Sequence, residues 1–366
     1  MSSPSNVFRV GELVWYKNTA WRLGIVLVIA PKTNTLNPAL GEENYRFLLA
    51  PLGHSLLGQQ NIWKEATEMR PFLTFSVPDI SIAELRDKAF AEVDWHAFVN
   101  RYAPDPDPAK RARKLEVIGL EASKMAARFI NASFSTFNTF PGPPIVMGPN
   151  AYLTKYGGVY LGAEMIRLGD PVRVSAEEQQ PASEAISTVM IVQEIQLNTS
   201  PNAAPSLKFR GSIYQLRRVD PSQMDTTAAD AASSELGPAC LDEVNFRNDL
   251  AAGNTTAGGG IRWKWATLEH GASRGEADVQ GRFYVTHRLM RIIDPARLQA
   301  AMQQRALEDA QGAYLNGRMQ GITGATPTAP GGYAGWRPGR AGTLGLAVAT
   351  RLVLPEGIVE EAFADS

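Results

Sequence analysis

Apolar and polar positions alternate with a period of two over residues 7–77, in four runs: LVWYK (13–17), AWRLGIVLVIAP (20–31), EENYRFLLAPLG (42–53) and EMRPFLTFSV (68–77). Gly, Pro and Asn separate the runs, which marks each as a strand bounded by turns. Ile25, Leu27 and Ile29 point to one face and Val26 and Val28 to the other, so that strand is predicted to be buried on both sides. Several short strands in about 70 residues predict a small, strongly bent antiparallel barrel.

The period changes after Pro78-Asp79. Ser81-Ile82-Ala83-Glu84 has the spacing of a capping box and predicts a helix through Leu85, Phe90 and Val93 towards Trp95 and Phe98. APDPDP (103–108) breaks it. Asp107 then caps a second helix with Pro108 in its first turn. Leu115, Ile118, Ala122, Met125 and Phe129 alternate by three and four and form one apolar stripe. Residues 78–138 are thus connecting helices, and TFPGPPIVMGPN (139–150) is a linker.

Strand patterning resumes at 151, in GVYLGAEMIRLGDPVRV (158–174), STVMIVQEIQL (187–197), SLKFRGSIYQLRRV (206–219), IRWKWATLEH (261–270) and GRFYVTHRLMRII (281–293). Residues 220–258, rich in Ala, Ser and Thr, read as an excursion or mobile loop. Asp294-Pro295 starts a trailing helix with Leu298, Met302 and Leu307, so the second block spans 151–318. Residues 319–366 are expected to be loosely ordered. The predicted class is mainly β with α segments (α+β): an N-terminal antiparallel barrel, connecting helices, and a second β-barrel with a trailing helix.

Composition narrows the function. The 366-residue chain is 44% apolar and 20% charged, enough to bury sizeable cores. Lys and Arg number 36 against 37 Asp and Glu, so no whole-protein basic field for nucleic acid exists. The single cysteine, Cys240, excludes an intramolecular disulfide and a Cys-built zinc site. Neither a secretory leader nor a membrane-length apolar run is visible, so an intracellular, soluble protein is expected.

Catalytic motifs are missing. His54, His96, His270 and His287 share no metal-like spacing, and no metal or cofactor is expected. The Gly-rich stretches at 258–260, 321–326 and 339–345 lack the form of a phosphate loop. Glu42-Glu43 and Glu177-Glu178 read as solvated pairs. An enzyme of unrecognised, hydrolytic type would rest on His270, His287 and nearby carboxylates.

Two binding chemistries are present. Lys110, Arg111, Arg113 and Lys114 open a helix, where cations oppose the dipole and an external phosphate would offset them; Arg217 and Arg218 form a second group. These residues carry the nucleic-acid-binding alternative. The aromatic signal is richer. Small barrels of the Tudor and SH3 kind hold methyl-lysine against two to four aromatic faces. Trp15, Tyr16, Trp21 and Tyr45 are the candidates in the first block, and Tyr156, Tyr160 and Tyr214 in the second. Trp15 and Tyr16 are adjacent, so only one of them is core in a one-sided barrel.

The stretch VGELVWYKNTAWRLGIVLVI, followed by YRFLLAPLGH and EMRPFLTFSVP, resembles the fungal transcription-silencing proteins of the cryptic loci regulator type. YGGVYLGAEMIRLGDPVRV, VMIVQEIQ and LKFRGSIYQL look like the opening of a bromo-adjacent homology (BAH) domain, and GRFYVTHRLMRII and DAQGAYLNGRM resemble the end of the same fungal region. The resemblance touches most of 7–318. It implies a non-enzymatic chromatin scaffold or reader in the nucleus, acting in gene silencing. Its implied partners are subunits of a histone deacetylase and nucleosome-remodelling repressor complex, with histone tails or nucleosomal DNA as further contacts. A methyl-DNA-binding-like module described for the family is not apparent in the chain.

Overall fold

The computed structural model describes residues 6–32, 41–53, 60–174, 185–219, 235–252, 262–318, 335–348 and 352–360. Strands β1 (Leu13–Lys17), β2 (Trp21–Pro31), β3 (Tyr45–Pro51), β4 (Ile62–Glu65) and β5 (Met69–Pro71) form an antiparallel sheet in the order β4-β3-β2-β1-β5. Among the described residues the path is open rather than a closed barrel, with β4 and β5 as its edges. A single 3-10 turn, Ala66–Glu68, joins these two strands across the sheet.

A bulge on β2 shifts the pairing from Val26↔Leu49 to Val28↔Leu48. It moves Ile29 off the face of Leu23, Ile25 and Leu27 and onto that of Val26 and Tyr45. Unbroken alternation had placed Ile29 with Ile25.

The sheet is covered on both faces, as the apolar pattern of residues 25–29 predicts, so the one-sided case weighed for Trp15 and Tyr16 does not arise. Leu13, Trp15, Leu23 and Ile25 pack beneath α1 (Trp95–Tyr102) and α2 (Pro108–Asn131) through Trp95, Phe98, Ile118 and Ala122. Val14, Tyr16, Val26 and Phe47 pack on Leu289, Met290 and Leu298 from the far end of the chain. Trp15 and Tyr16 are therefore both core.

Asp107 accepts the Ala109 N–H at 2.9 Å and Pro108 opens α2, as its spacing requires. Ser81 does not cap a helix. Its N–H and hydroxyl both donate to the Glu121 carboxylate, at 2.7 Å each, and only 3-10 turns form before Asp94 caps α1. The cap was spent on a tertiary contact.

The second sheet holds ten strands: β6 (Ser133–Thr139), β7 (Ile145–Gly148), β8 (Ala151–Leu161), β9 (Glu164–Arg167), β10 (Pro171–Val174), β11 (Ala185–Ser200), β12 (Ala203–Val219), β13 (Arg262–Gly275), β14 (Val279–Arg282) and β15 (Gly335–Trp336). Its main path runs β13-β12-β11-β8-β6-β15; β7 and β9 flank β8, and β10 bridges β11 and β14. Here too the described path is not a closed barrel. At Gly211 on β12 a Cβ would lie 1.9 Å from the Ile191 carbonyl oxygen, so only glycine fits this close strand crossing.

Two expectations of loose structure are corrected in their described parts; residues 220–234, 253–258, 319–334, 349–351 and 361–366 lie outside the described residues. The excursion at 220–258 contains α3 (Pro238–Ala252), which buries Cys240 and a Glu243–Arg247 ion pair. The C-terminal segment contains β15, paired in parallel with β6, and α7 (Arg340–Leu344). Residues 286–293, patterned as strand, are instead helix α4 (Thr286–Ile293), followed by α5 (Pro295–Gln304) and α6 (Ala310–Tyr314). Asp294 caps α5 as expected.

A buried ionic joint ties the two sheets. Arg9 grips Asp170 through two hydrogen bonds, 2.5 and 2.9 Å, with both side chains almost fully buried. Glu12 accepts the N–H groups of Arg9 and Met165 and the Arg282 guanidinium. Arg340 donates to the carbonyls of Gly11 and Gly162, at 2.8 Å each. Every charge in the joint faces a partner from a distant part of the chain, so the second sheet is held in one orientation against the first.

Candidate partner-binding surface

One face of the second sheet is core. Tyr156, Ile195, Leu197, Leu207 and Phe209 pack there with Val172 and Val279. The opposite face divides in two. At one end Val189, Ile191, Tyr214, Leu216, Trp263 and Trp265 lie under α3 and its Cys240. At the other end no described element covers the face.

The open half is a groove of about 620 Å³ across β7, β8, β11 and β12. Ile145, Met147 and Leu153 form one lip, and Lys155, Lys208 and Arg210 the other side. Ile145 sits directly opposite Leu153; Lys155, Gln196 and Lys208 form one row across three strands. The lip is unusually apolar for a surface, with Ile145 50%, Val146 70% and Met147 63% exposed. Among the described residues β7 pairs with β8 alone.

Charge in the groove is unbalanced. Lys155 pairs with Glu194 at 3.1 Å. Burial opposes ionisation of Glu194, yet hydrogen bonds from Gln196 and Lys155 hold its carboxyl below the usual range. Lys208 and Arg210 form no ion pair within 4.0 Å of a described acid, although Arg210 lies across the strand pair from Glu194 and its charge acts on that carboxylate; three cations against one lining-side carboxylate leave the groove positive at neutral pH.

Sequence reasoning missed this surface by reading 139–150 as a linker. The prolines at 141, 143 and 144 do stop pairing, but Ile145, Val146 and Gly148 beyond them pair with β8, with a register shift at Met147. Three consecutive apolar residues inside a polar Pro/Gly run were the available signal.

The aromatic candidates form no open cage. Trp15 donates its indole N–H to the Phe72 carbonyl at 2.8 Å and stacks on the Phe72 ring. Trp21 is half-buried against Phe75, and Arg70 occupies its other face, 5.1 Å from the ring centre. Tyr16 is buried, and Tyr45 half-buried, against the C-terminal helices. Tyr156, Tyr160 and Tyr214 are interior. Tyr160 binds the Val10 carbonyl, and burial raises its pKa. Tyr214 binds Glu235; burial and that hydrogen bond push its pKa up to about 12. Both sheets are packed on the faces where these rings point, so each ring fills a core or finds an internal polar partner.

The basic candidates separate. Lys110, Arg111 and Arg113 are exposed on the first turns of α2, while Lys114 reaches Asp105 at 3.6 Å. Arg218 lies over Trp263, 5.0 Å from the ring centre, and Arg217 hydrogen-bonds Gln215. Arg218 is exposed and Arg217 half-buried, and each is engaged by a neighbour on the sheet.

His270 is exposed on β13, whereas His287 is buried on α4, stacked on Phe246 and 3.7 Å from Asp242. The two histidines, on which the hydrolytic alternative rested, lie on different elements, one exposed and one buried. Glu42 is buried and accepts the Val7 N–H, while Glu43 pairs with Arg291. The reading of both as solvated fails at Glu42. His54, Glu177, Glu178 and the glycines at 258–260 and 321–326 lie outside the described residues. Among the described residues no cluster of three metal-capable side chains forms, and no helix is long and apolar enough to cross a membrane.

Comparison with known proteins adds a family. Residues 156–285, roughly a third of the chain, match the family model of transcription-silencing protein Clr2. No curated protein matches the sequence. Among solved structures the chain is similar to one described as "Structure of Clr2 bound to the Clr1 C-terminus", with 14% identity and a TM-score of 0.39, over 77% of this chain and 52% of that one. The chain spans about half the length of that structure. Over residues 156–285 the chain is similar to the Clr2 type of transcription-silencing protein.

Proposed function

We propose that the protein is a non-enzymatic scaffold in transcriptional silencing, which acts in the nucleus by holding subunits of a histone deacetylase and nucleosome-remodelling complex on chromatin. The match of residues 156–285 to the silencing family carries this reading. That segment supplies β9 to β14 and half of β8, and with them Lys208 and Arg210 of the open half-face. The reading includes a BAH-like 151–318 and a Tudor- or SH3-like 7–77. The order β4-β3-β2-β1-β5, with a 3-10 turn before the last strand, supports the latter.

Affinity purification of the tagged chain from nuclei, followed by quantitative mass spectrometry, tests the function. Deacetylase and remodeller subunits should co-purify in near-stoichiometric amounts. Recovery of metabolic enzymes alone would defeat the reading.

The exposed cations Lys110, Arg111 and Arg113 support a second reading, direct contact with nucleosomal DNA. Binding of duplex DNA should then weaken as salt rises, because each phosphate contact releases a counterion. DNA affinity that is flat with salt would exclude that contact.

A further inference from the structure

The open half-face has a built-in polarity. One end is apolar and the other cationic, and Lys155 is already satisfied by Glu194. From Ile145 to Lys208 the path crosses three strand spacings, about 14 Å, and two residues along the strands, about 7 Å. The span is therefore about 16 Å, the reach of about five extended residues.

We propose that this half-face binds a short extended segment of a partner protein, with an apolar residue at one end and acidic side chains about five residues away. The apolar residue seats against Ile145, Met147 and Leu153. The acidic residues lie over Lys208 and Arg210, the two cations without a described ion-pair partner. Charge complementarity sets the direction of the segment, because reversal would bring carboxylates onto the apolar lip and leave both cations unmatched. The apolar lip favours a polypeptide over duplex nucleic acid, whose outer surface is charged phosphate. This inference rests on the reading of the protein as a scaffold, and it adds the chemistry of what is held.

The test screens the full chain against a displayed library of random twelve-residue peptides. Enriched peptides are then labelled and titrated by fluorescence polarisation against the wild-type protein, K208E/R210E and I145S/M147S. All four positions are on the surface, and a thermal melt confirms that each variant is folded. Enrichment of acidic residues about five positions from an apolar one is expected, with affinity reduced about tenfold or more in each variant. Enriched peptides without acidic residues, an empty selection, or peptides that bind both variants like the wild type would overturn the proposal. Mixed-sequence duplex DNA is titrated alongside. Saturable DNA binding abolished by K208E/R210E, with no peptide bound, would assign the face to nucleic acid and overturn it too. The purification from nuclei separates the two readings. If K208E/R210E retains the silencing subunits in full, the groove proposal fails and the scaffold stands. If acidic peptides bind but nuclei yield no silencing subunit, the scaffold reading fails instead.

Discussion

Removing Asp170 should unfasten the joint on which the orientation of the two sheets depends. Its carboxylate receives two hydrogen bonds from Arg9 and one from the Arg167 N–H, all shielded from water. In D170L the Arg9 guanidinium keeps the Met165 carbonyl but loses the carboxylate it is hydrogen-bonded to, with Glu12 left as a more remote counter-charge. A buried charge stranded in this way costs about 3–5 kcal/mol. A 366-residue chain that unfolds as one unit has an unfolding entropy of about 0.8 kcal/mol/K, so the melting temperature should fall by about 5 °C. The double variant R9M/D170L removes both charges and should cost less than D170L alone, since the Met165 carbonyl and Arg167 amide lose partners but no guanidinium is left buried without its carboxylate. Differential scanning calorimetry of the three variants reads both effects. Costs that simply add, or a D170L cost below about 1 kcal/mol, would show that the pair is exposed or relaxed and would refute the joint.

Three further outcomes follow from the same geometry. Burial lowers the pKa of His287 below its ordinary 6.5, against the opposing pull of Asp242 and Glu243. The unfolded chain then binds the extra proton first, so stability is full above pH 6.5 and declines as pH falls towards the folded pKa; chemical denaturation between pH 7.5 and 5.5 should show this slope, and H287L should flatten it. Glu121 is held below the usual carboxylate range: burial opposes this, but hydrogen bonds from Lys124 and Ser81 prevail. Its contribution is present above the unfolded value near 4.5 and is lost as pH falls through the folded one, so E121Q should reduce acid sensitivity at the N-terminal end of the helical layer. G211A should cost about 3 kcal/mol in urea denaturation, because the new Cβ meets the backbone of β11 and not a movable side chain; an unchanged midpoint would contradict the strand crossing.

Much of the fold was legible because it rests on local rules. Asp107-Pro108 and Asp294-Pro295 cap their helices through backbone contacts two or three residues away, and spacing alone reveals them. What failed was decided over long distances. Ser81 carries a capping signal but serves Glu121, 40 residues on. Ile29 alternates correctly until a bulge turns it over. Trp15 and Tyr16 looked mutually exclusive because the sequence does not say that residues near 290 return to cover the second face. Arg340, in a glycine-rich stretch expected to be loose, completes the joint at Gly11 and Gly162. The aromatic candidates fill the cores of open sheets or pack half-buried against them and form no open cage, since burial consumed the faces a ligand would need. The groove was hidden by a strand of four residues behind three prolines.

Amine-reactive cross-linking of the complex purified from nuclei tests the central claim most directly, because Lys155 and Lys208 flank the groove while Lys110 and Lys114 mark the start of α2. The account predicts cross-links from Lys155 and Lys208 to lysines that flank an acidic segment of a silencing subunit, lost in K208E/R210E at Lys155, the position that retains its lysine. Cross-links to that subunit confined to Lys110 and Lys114, with none at the groove, would contradict it.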